Sequence, residues 1–243
     1  NLTLDEAIAG ADESITLATH GGDIVANASI TADDGAISLS TAGGDLSVNQ
    51  AISTQNASEA SLTVDVATGM ATFAASVTTA GGQVYTGPVT YASGGALSST
   101  AGGDITFNGA VTLNTDVTLS ASASDEQDGD IHFASAVENA ADTDERLTLV
   151  SSGAITQGMA GDGGLAVDEL ALQGGADVTL ENTGNQIGTL AAGTSQTALG
   201  SLSVVNNASM TVGTLGSQSG ISTDGAVSLS LESGNPTLDE AIA

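Results

Sequence analysis

Apolar and polar positions alternate along this chain in short runs that small or polar residues interrupt. In Gly103-Asp-Ile-Thr-Phe-Asn-Gly-Ala-Val-Thr-Leu113, Ile105 and Phe107 fall on one side of an extended chain and Thr106 on the other. Asn108-Gly109 breaks the run, and Val111 and Leu113 resume the period of two. A period of two marks a strand with one buried face, and Asn-Gly marks a turn. No window carries a 3.6-residue stripe. The best candidate, Leu4 to Ala11, is short and Ala-rich and reads as one helical turn or another corner. The pattern predicts an all-β chain with almost no helix.

The strand-corner-strand plan recurs. Thr19-His-Gly-Gly-Asp-Ile-Val-Ala-Asn-Ala-Ser-Ile-Thr31, Thr41-Ala-Gly-Gly-Asp-Leu-Ser-Val-Asn-Gln-Ala-Ile-Ser53 and Thr100-Ala-Gly-Gly-Asp-Ile-Thr-Phe-Asn-Gly-Ala-Val-Thr112 are copies of one motif. Gly129-Asp-Ile-His-Phe133 is a looser copy, and Thr79-Ala-Gly-Gly-Gln-Val-Tyr85 puts Gln83 where the others have Asp. Asp23, Asp45, Gln83, Asp104 and Asp130 are then spaced by one or two steps of about 21 residues, a solenoid period. A short strand cannot bury its apolar face alone, but coils stacked on one another can. This alignment places Ile24, Leu46, Val84, Ile105 and Ile131 in one inward column. Ala26, Val48, Phe107 and Phe133 form a second, and Ile30, Ile52, Val111 and Val137 a third. Asn27, Asn49 and Asn108 fall at one corner, either as amides stacked from coil to coil or simply as turn residues. The expectation is a β-solenoid of about 11 coils of roughly 21 residues each.

A longer repeat encloses the short one. Asn1-Leu-Thr-Leu-Asp-Glu-Ala-Ile-Ala9 returns as Asn235-Pro-Thr-Leu-Asp-Glu-Ala-Ile-Ala243, with eight of nine positions identical and an offset of 234. Residues 1–243 therefore read as a single unit, one 234-residue tandem period plus a nine-residue overlap.

Composition narrows the function. The chain is 40% apolar, but it has no Trp, 2 Tyr and 3 Phe, so its core is thin and aliphatic. It has no Cys and so relies on burial and hydrogen bonds alone. Asp and Glu number 29 against one basic residue, Arg146, for a formal charge of −28. With nothing to neutralise a row of phosphates, nucleic acid and anionic lipid are not expected as partners. There is no 18-residue apolar run, and five aromatics cannot furnish two membrane girdles, so no membrane insertion is expected.

Among candidate sites, Asp125, Glu126, Asp128 and Asp130 are the best metal ligands, because calcium takes six to eight oxygens. Their loop matches neither the EF-hand nor the nonapeptide calcium repeat, so a solvated acidic loop is the simpler reading and no other cofactor is expected. Asp33-Asp34 and His20 suggest comparison with polysaccharide-cleaving β-helices, but the basic residues such chemistry needs are missing. His132 stands at an outward position more than 100 residues from His20. The expectation is a protein that is not an enzyme.

The run Gly102-Gly-Asp-Ile-Thr-Phe-Asn-Gly-Ala-Val-Thr-Leu113, with Asp116-Val-Thr-Leu119 and Gly129-Asp-Ile-His-Phe133, resembles the repeats of filamentous-haemagglutinin-type exoproteins. The resemblance implies a right-handed parallel β-helix. It also implies an extracellular or cell-surface location on a Gram-negative bacterium and a structural or adhesive role in a giant fibre. The implied partners are neighbouring copies of the repeat and a host or partner cell surface. The alternative is a specific glycan- or protein-binding module on the same scaffold. Such a module calls for an inserted loop longer than about 15 residues bearing aromatic or basic side chains. The Gly-rich stretch Gly153 to Gly164 is where one would sit.

Overall fold

The computed structural model describes residues 1–122, 128–141, 143–159, 161–194 and 196–243, and it contains no helix among them. The chain winds as a parallel β-solenoid with three faces per coil. The first coil shows the plan, with strands Leu2–Leu4, Ile8–Gly10 and Ile15–Thr19 on the first, second and third faces. The next coil repeats it as Ile24–Ala26, Ile30–Ala32 and Ile37–Thr41. Most strands are short because each face holds only two or three inward side chains before the chain must turn. Third-face strands form one 10-stranded sheet. First- and second-face strands merge into an 18-stranded sheet, since Leu165–Gln173 and Gln186–Ala192 run unbroken round the corner between those faces. Among the described residues, the exceptions to parallel pairing are a hairpin joining Thr214–Leu215 to Gln218–Ser219 and an isolated bridge from Ser122 to Asp128.

The core is a set of columns running along the axis. On the second face one column passes through Ile8, Ile30, Ile52, Val77, Leu97, Leu119, Leu149, Leu172, Ala192, Ile221 and Ile242. Ile8 and Ile242 are thus ten coils apart. The mean coil is a little longer than the motif spacing suggested, so there are ten coils where about 11 shorter ones were expected. The steps are unequal. On the first face Ala71 to Val89 is the shortest and Val137 to Leu165 the longest, because the segments between the strands differ in length. Away from the two ends the inward aliphatic residues are essentially inaccessible to solvent. Each buried Leu, Ile or Val contributes about 1.5–3 kcal/mol relative to leaving it exposed.

The columns differ from those the motif alignment implied. Ile24 and Leu46 continue on the first face into Ala71, Val89, Val111 and Val137. Ile105 and Ile131 belong to the third face, stacked on Leu62 and Gln83. Ala26 and Val48 run into Phe73 and Tyr91, whereas Phe107 and Phe133 follow Tyr85 on the third face. Ile30 and Ile52 lie on the second face, and Val111 and Val137 on the first. Different corners of the triangular coil demand the same Gly-Asp chemistry. The motif therefore opens the first face at Asp23 and Asp45 but the third face at Asp104 and Asp130.

Gln83 is likewise not an aspartate substitute. It points inward in register with Leu62 and Ile105, while Val84 faces out and is half-buried. Buried Gln83 is satisfied: Nε2 donates to Thr79 Oγ1 and to the Ser98 carbonyl, and Oε1 accepts from the Tyr85 hydroxyl at 2.8 Å. Asn27 donates to Asp5 Oδ1 and Asn49 to Asn27 Oδ1, both at 2.9 Å, so an amide ladder does form at that corner. Asn108 is not part of it, because it follows a third-face strand and its neighbours in the adjacent coils are Thr86 and Ala134.

All five aromatic residues gather in one buried stack. Tyr85 and Phe107 are stacked at 4.8 Å and Phe107 and Phe133 at 5.4 Å; Phe73 meets Tyr85 edge-on at 5.7 Å and lies 6.0 Å from Tyr91. The turn after Tyr85 uses Gly87 at φ +97°, where a Cβ would stand 2.1 Å from the Val66 carbonyl oxygen.

The two tyrosines differ in one respect that can be measured. Tyr85 has a hydrogen-bond partner, whereas the buried Tyr91 hydroxyl has none. A buried hydroxyl without a partner costs about 1–3 kcal/mol. Tyr91→Phe is expected to stabilise the fold by about 1 kcal/mol, and Tyr85→Phe, which strands Gln83 Oε1, to destabilise it by a similar amount. Urea unfolding of the two variants checks this, and the opposite order would refute the assignment.

Candidate functional site

The coil with the longest first-face step carries the most distinctive surface. After the third-face strand Ala154–Gln157 the chain leaves the coil, and it rejoins at Leu165 on the first face. Beside this excursion lies an open groove of about 510 Å³ lined by Gln157, Gly158, Met159, Thr179, Glu181 and Asn182. The excursion falls inside the predicted Gly153 to Gly164 stretch. Only residues 158–164 separate the two strands, fewer than a binding insertion calls for, and Met159, 82% exposed, is the prominent apolar side chain among them.

Asn182 holds the excursion in place. Its Nδ2 lies within hydrogen-bond distance of the carbonyls of Gly158 (3.2 Å), Met159 (2.8 Å) and Gly163 (2.7 Å), and its Oδ1 accepts from the Gly184 N–H. Behind it a buried amide network continues along the axis. Asn185 and Gln157 exchange hydrogen bonds at 2.9 Å, and Asn185 Oδ1 also accepts from the Leu165 N–H. Asn206 serves both backbone polar groups of Ile187. Sequence reasoning missed this group. The available signal was the return of Asn or Gln at positions 157, 182 and 206, about one coil apart, with Asn185 three residues beyond Asn182.

The outer surface near the groove is rich in hydroxyls. The His132 ring nitrogen Nδ1 is 2.8 Å from Thr156 Oγ1, in register with it, and Glu181 accepts from Ser203 Oγ at 2.6 Å. His20 lies five coils from His132, at the end of the third-face strand Ile15–Thr19. Arg146 is engaged at the second face, where it meets Glu169 of the next coil at 2.6 Å. The groove therefore presents one carboxylate, amides and a thioether, a set suited to hydrogen bonding.

Part of the acidic set is structural. Each Gly-Asp aspartate accepts a hydrogen bond from the coil above: Asp23 from the Asp45 N–H (3.1 Å), Asp45 from Met70 (2.9 Å), Asp104 from Asp130 (2.9 Å) and Asp130 from Ala154 (2.7 Å). Asp116 does the same for the Arg146 N–H. These carboxylates satisfy backbone donors where the ladder is interrupted at a corner. Of the expected calcium ligands, Asp130 is engaged in this way and Asp128 is exposed beside it, while Asp125 and Glu126 lie outside the described residues. Among the described residues no group of three or more His, Asp or Glu side chains is placed to hold a metal ion.

Comparison with protein-family models, with curated proteins and with solved structures finds no match to the chain. The fold itself defines a parallel β-solenoid repeat protein.

Two outcomes follow from these contacts. Asn182→Ala removes the donors that hold three carbonyls and is expected to cost about 2–3 kcal/mol. Hydrogen exchange should quicken chiefly over residues 158–164, and exchange unchanged there would contradict the role given to Asn182. Glu145 supplies the second. Desolvation, the neighbouring Asp116 carboxylate with which it shares a hydrogen bond, and Asp144 all raise its pKa above the ordinary value. The folded state then binds this proton more tightly than the unfolded chain, so its contribution to stability is greatest in acid. That contribution is lost as pH rises through the raised pKa. Glu145→Gln should melt above the parent at neutral pH in thermal unfolding, with the difference shrinking in acid.

Proposed function

We propose that the chain is one ten-coil period of a tandem β-solenoid, and that repetition of the period builds a passive extracellular fibre that coats or adheres to cell surfaces. One observation carries this reading. Ile8 and Ile242 are equivalent residues of the nine-residue repeat, and they occupy the two ends of a single second-face column. The repeat offset is thus a whole number of coils, so successive copies continue without a change of face or register. At about 4.8 Å per coil each period advances on the order of 50 Å along the axis.

Several features fit this role. The resemblance of the coil motif to filamentous-haemagglutinin-type exoproteins supports a bacterial surface location. The hydroxyl-rich outer columns and the excess of acidic residues favour a soluble, hydrated rod. The groove at Asn182 offers neither the aromatic nor the basic anchors of a specific recognition site, and its lining includes no nucleophile–base arrangement. A noncatalytic surface is therefore proposed.

A chain of two periods in tandem provides the test. Small-angle scattering should show a rod of unchanged cross-section and about twice the axial length, with a higher melting temperature than the single unit because nearest-neighbour interfaces add. Two independent particles on a flexible joint, with no gain in melting temperature, would refute the continuous fibre.

A further inference from the structure

Away from the first and last coils, two large apolar side chains are exposed among the described residues, and they differ in what holds them. Met70, 42% exposed, is engaged, since its sulfur accepts from the Thr90 hydroxyl at 3.0 Å. Met159, 82% exposed, has no such partner, yet its backbone is fixed. Its carbonyl accepts from Asn182 Nδ2 at 2.8 Å and from the Asp162 N–H at 3.1 Å. A polarisable thioether kept in water on a pinned backbone is a preformed contact surface, and little ordering is left to be done when something binds there.

The groove that Met159 lines is also charged. Glu181, exposed, accepts from Ser203 Oγ through Oε1, and its Oε2 has no partner among the described residues. Exposed Asp162 adds a second carboxylate on the excursion itself. The groove's volume of about 510 Å³ falls in the ordinary range of ligand clefts, about 300–1,000 Å³. Two other acidic grooves, one at Asp65 of about 220 Å³ and one at Glu59 and Asp104 of about 230 Å³, have no large apolar side chain in their lining. The strands Ala154–Gln157 and Asp177–Leu180 each pair with a neighbour on both sides. An incoming chain therefore cannot join the sheet, and recognition at this groove must come from side chains.

We infer that this groove docks an extended basic peptide segment of another protein. An arginine or lysine of the partner lays its methylenes along the Met159 side chain and sets its charged head on Glu181, with Asp162 adding to the attraction. The groove carries no aromatic or basic anchor of its own because it is built to receive one. Charge selects the occupant: with 29 acidic residues against one basic, the chain attracts cationic segments and repels acidic ones. A second copy cannot fill the groove, since the chain has no Lys and Arg146 is already paired with Glu169 at 2.6 Å. A small hydrated cation would use the carboxylates and leave the thioether in water, whereas a basic side chain between apolar neighbours uses both. This names a partner for the adhesive role proposed above without resting on tandem continuity, so the two stand or fall by separate experiments.

Fluorescence anisotropy of the 1–243 chain provides the test, with a short labelled peptide carrying two arginines between leucines, the same peptide with glutamates for the arginines, and spermidine as competitor. The arginine peptide is expected to bind saturably and the glutamate peptide not at all. Met159→Ser and Glu181→Gln should each weaken binding about fivefold. Asp65→Asn, which removes the same charge from a distant point of the third face, should leave it within about twofold. Thr179→Lys, which tethers a cation beside Glu181 on the exposed side of the strand, should block the groove with melting temperature unchanged. Absence of saturable binding would overturn the inference. So would equal weakening by Asp65→Asn and Glu181→Gln, the mark of diffuse attraction to an acidic surface, or displacement by spermidine at the concentration at which unlabelled peptide displaces, the mark of a small-cation site.

Discussion

Parallel backbone pairing between successive coils is the constraint from which the rest of the structure follows. Each strand is too short to be stable by itself, and its N–H and C=O groups are satisfied by the coil before and the coil after. Equivalent residues must then stand directly above one another, so the interior consists of columns in which like sits on like. Corners can lengthen or shorten without disturbing this arrangement. That is why steps as unequal as Ala71 to Val89 and Val137 to Leu165 coexist with unbroken columns.

Polar chemistry is concentrated where the ladder is interrupted. At the corners, aspartates accept the backbone N–H of the next coil, threonines such as Thr41 donate to a nearby glycine carbonyl, and Asn27 and Asn49 link side chains from coil to coil. The acidity of the chain is thus partly architectural. A carboxylate suits these places because it accepts a backbone N–H that the ladder leaves unpaired. In the later coils buried amides take over the task, and Asn182, Asn185 and Asn206 serve the backbone around the corner that departs from the regular plan.

Part of this was legible in the residues. The alternation of Ile105, Thr106 and Phe107 marks strand and facing, the Gly-Asp and Asn-Gly pairs mark corners, and the match of residues 1–9 to 235–243 reveals the long offset. Less legible was the corner that each motif marks. Corners with one physical demand select the same residues, so the motif fixes position along the coil only to within a third of a turn. Val84 illustrates the consequence. Aligned as inward, it faces out, because the short fourth coil shifts the register and the aromatic stack takes Tyr85 inward beside Phe107. The groove was anticipated as an irregular stretch, but Asn182, which shapes it, was not, since its three carbonyl partners lie about one coil earlier in the chain.

The sequence by itself determined that the chain is a β-solenoid with a thin aliphatic core, an acidic composition and a long internal repeat, because each of these depends on local alternation, residue content or identity between distant segments. Only the tertiary structure decided that the two copies of the nine-residue segment lie ten whole coils apart, that the five aromatics form one stack, and that the acidic side chains staple one coil to the next. Those properties depend on which residues lie about 4.8 Å apart along the axis. That adjacency is set by summing every corner length along the way, and no single segment encodes it.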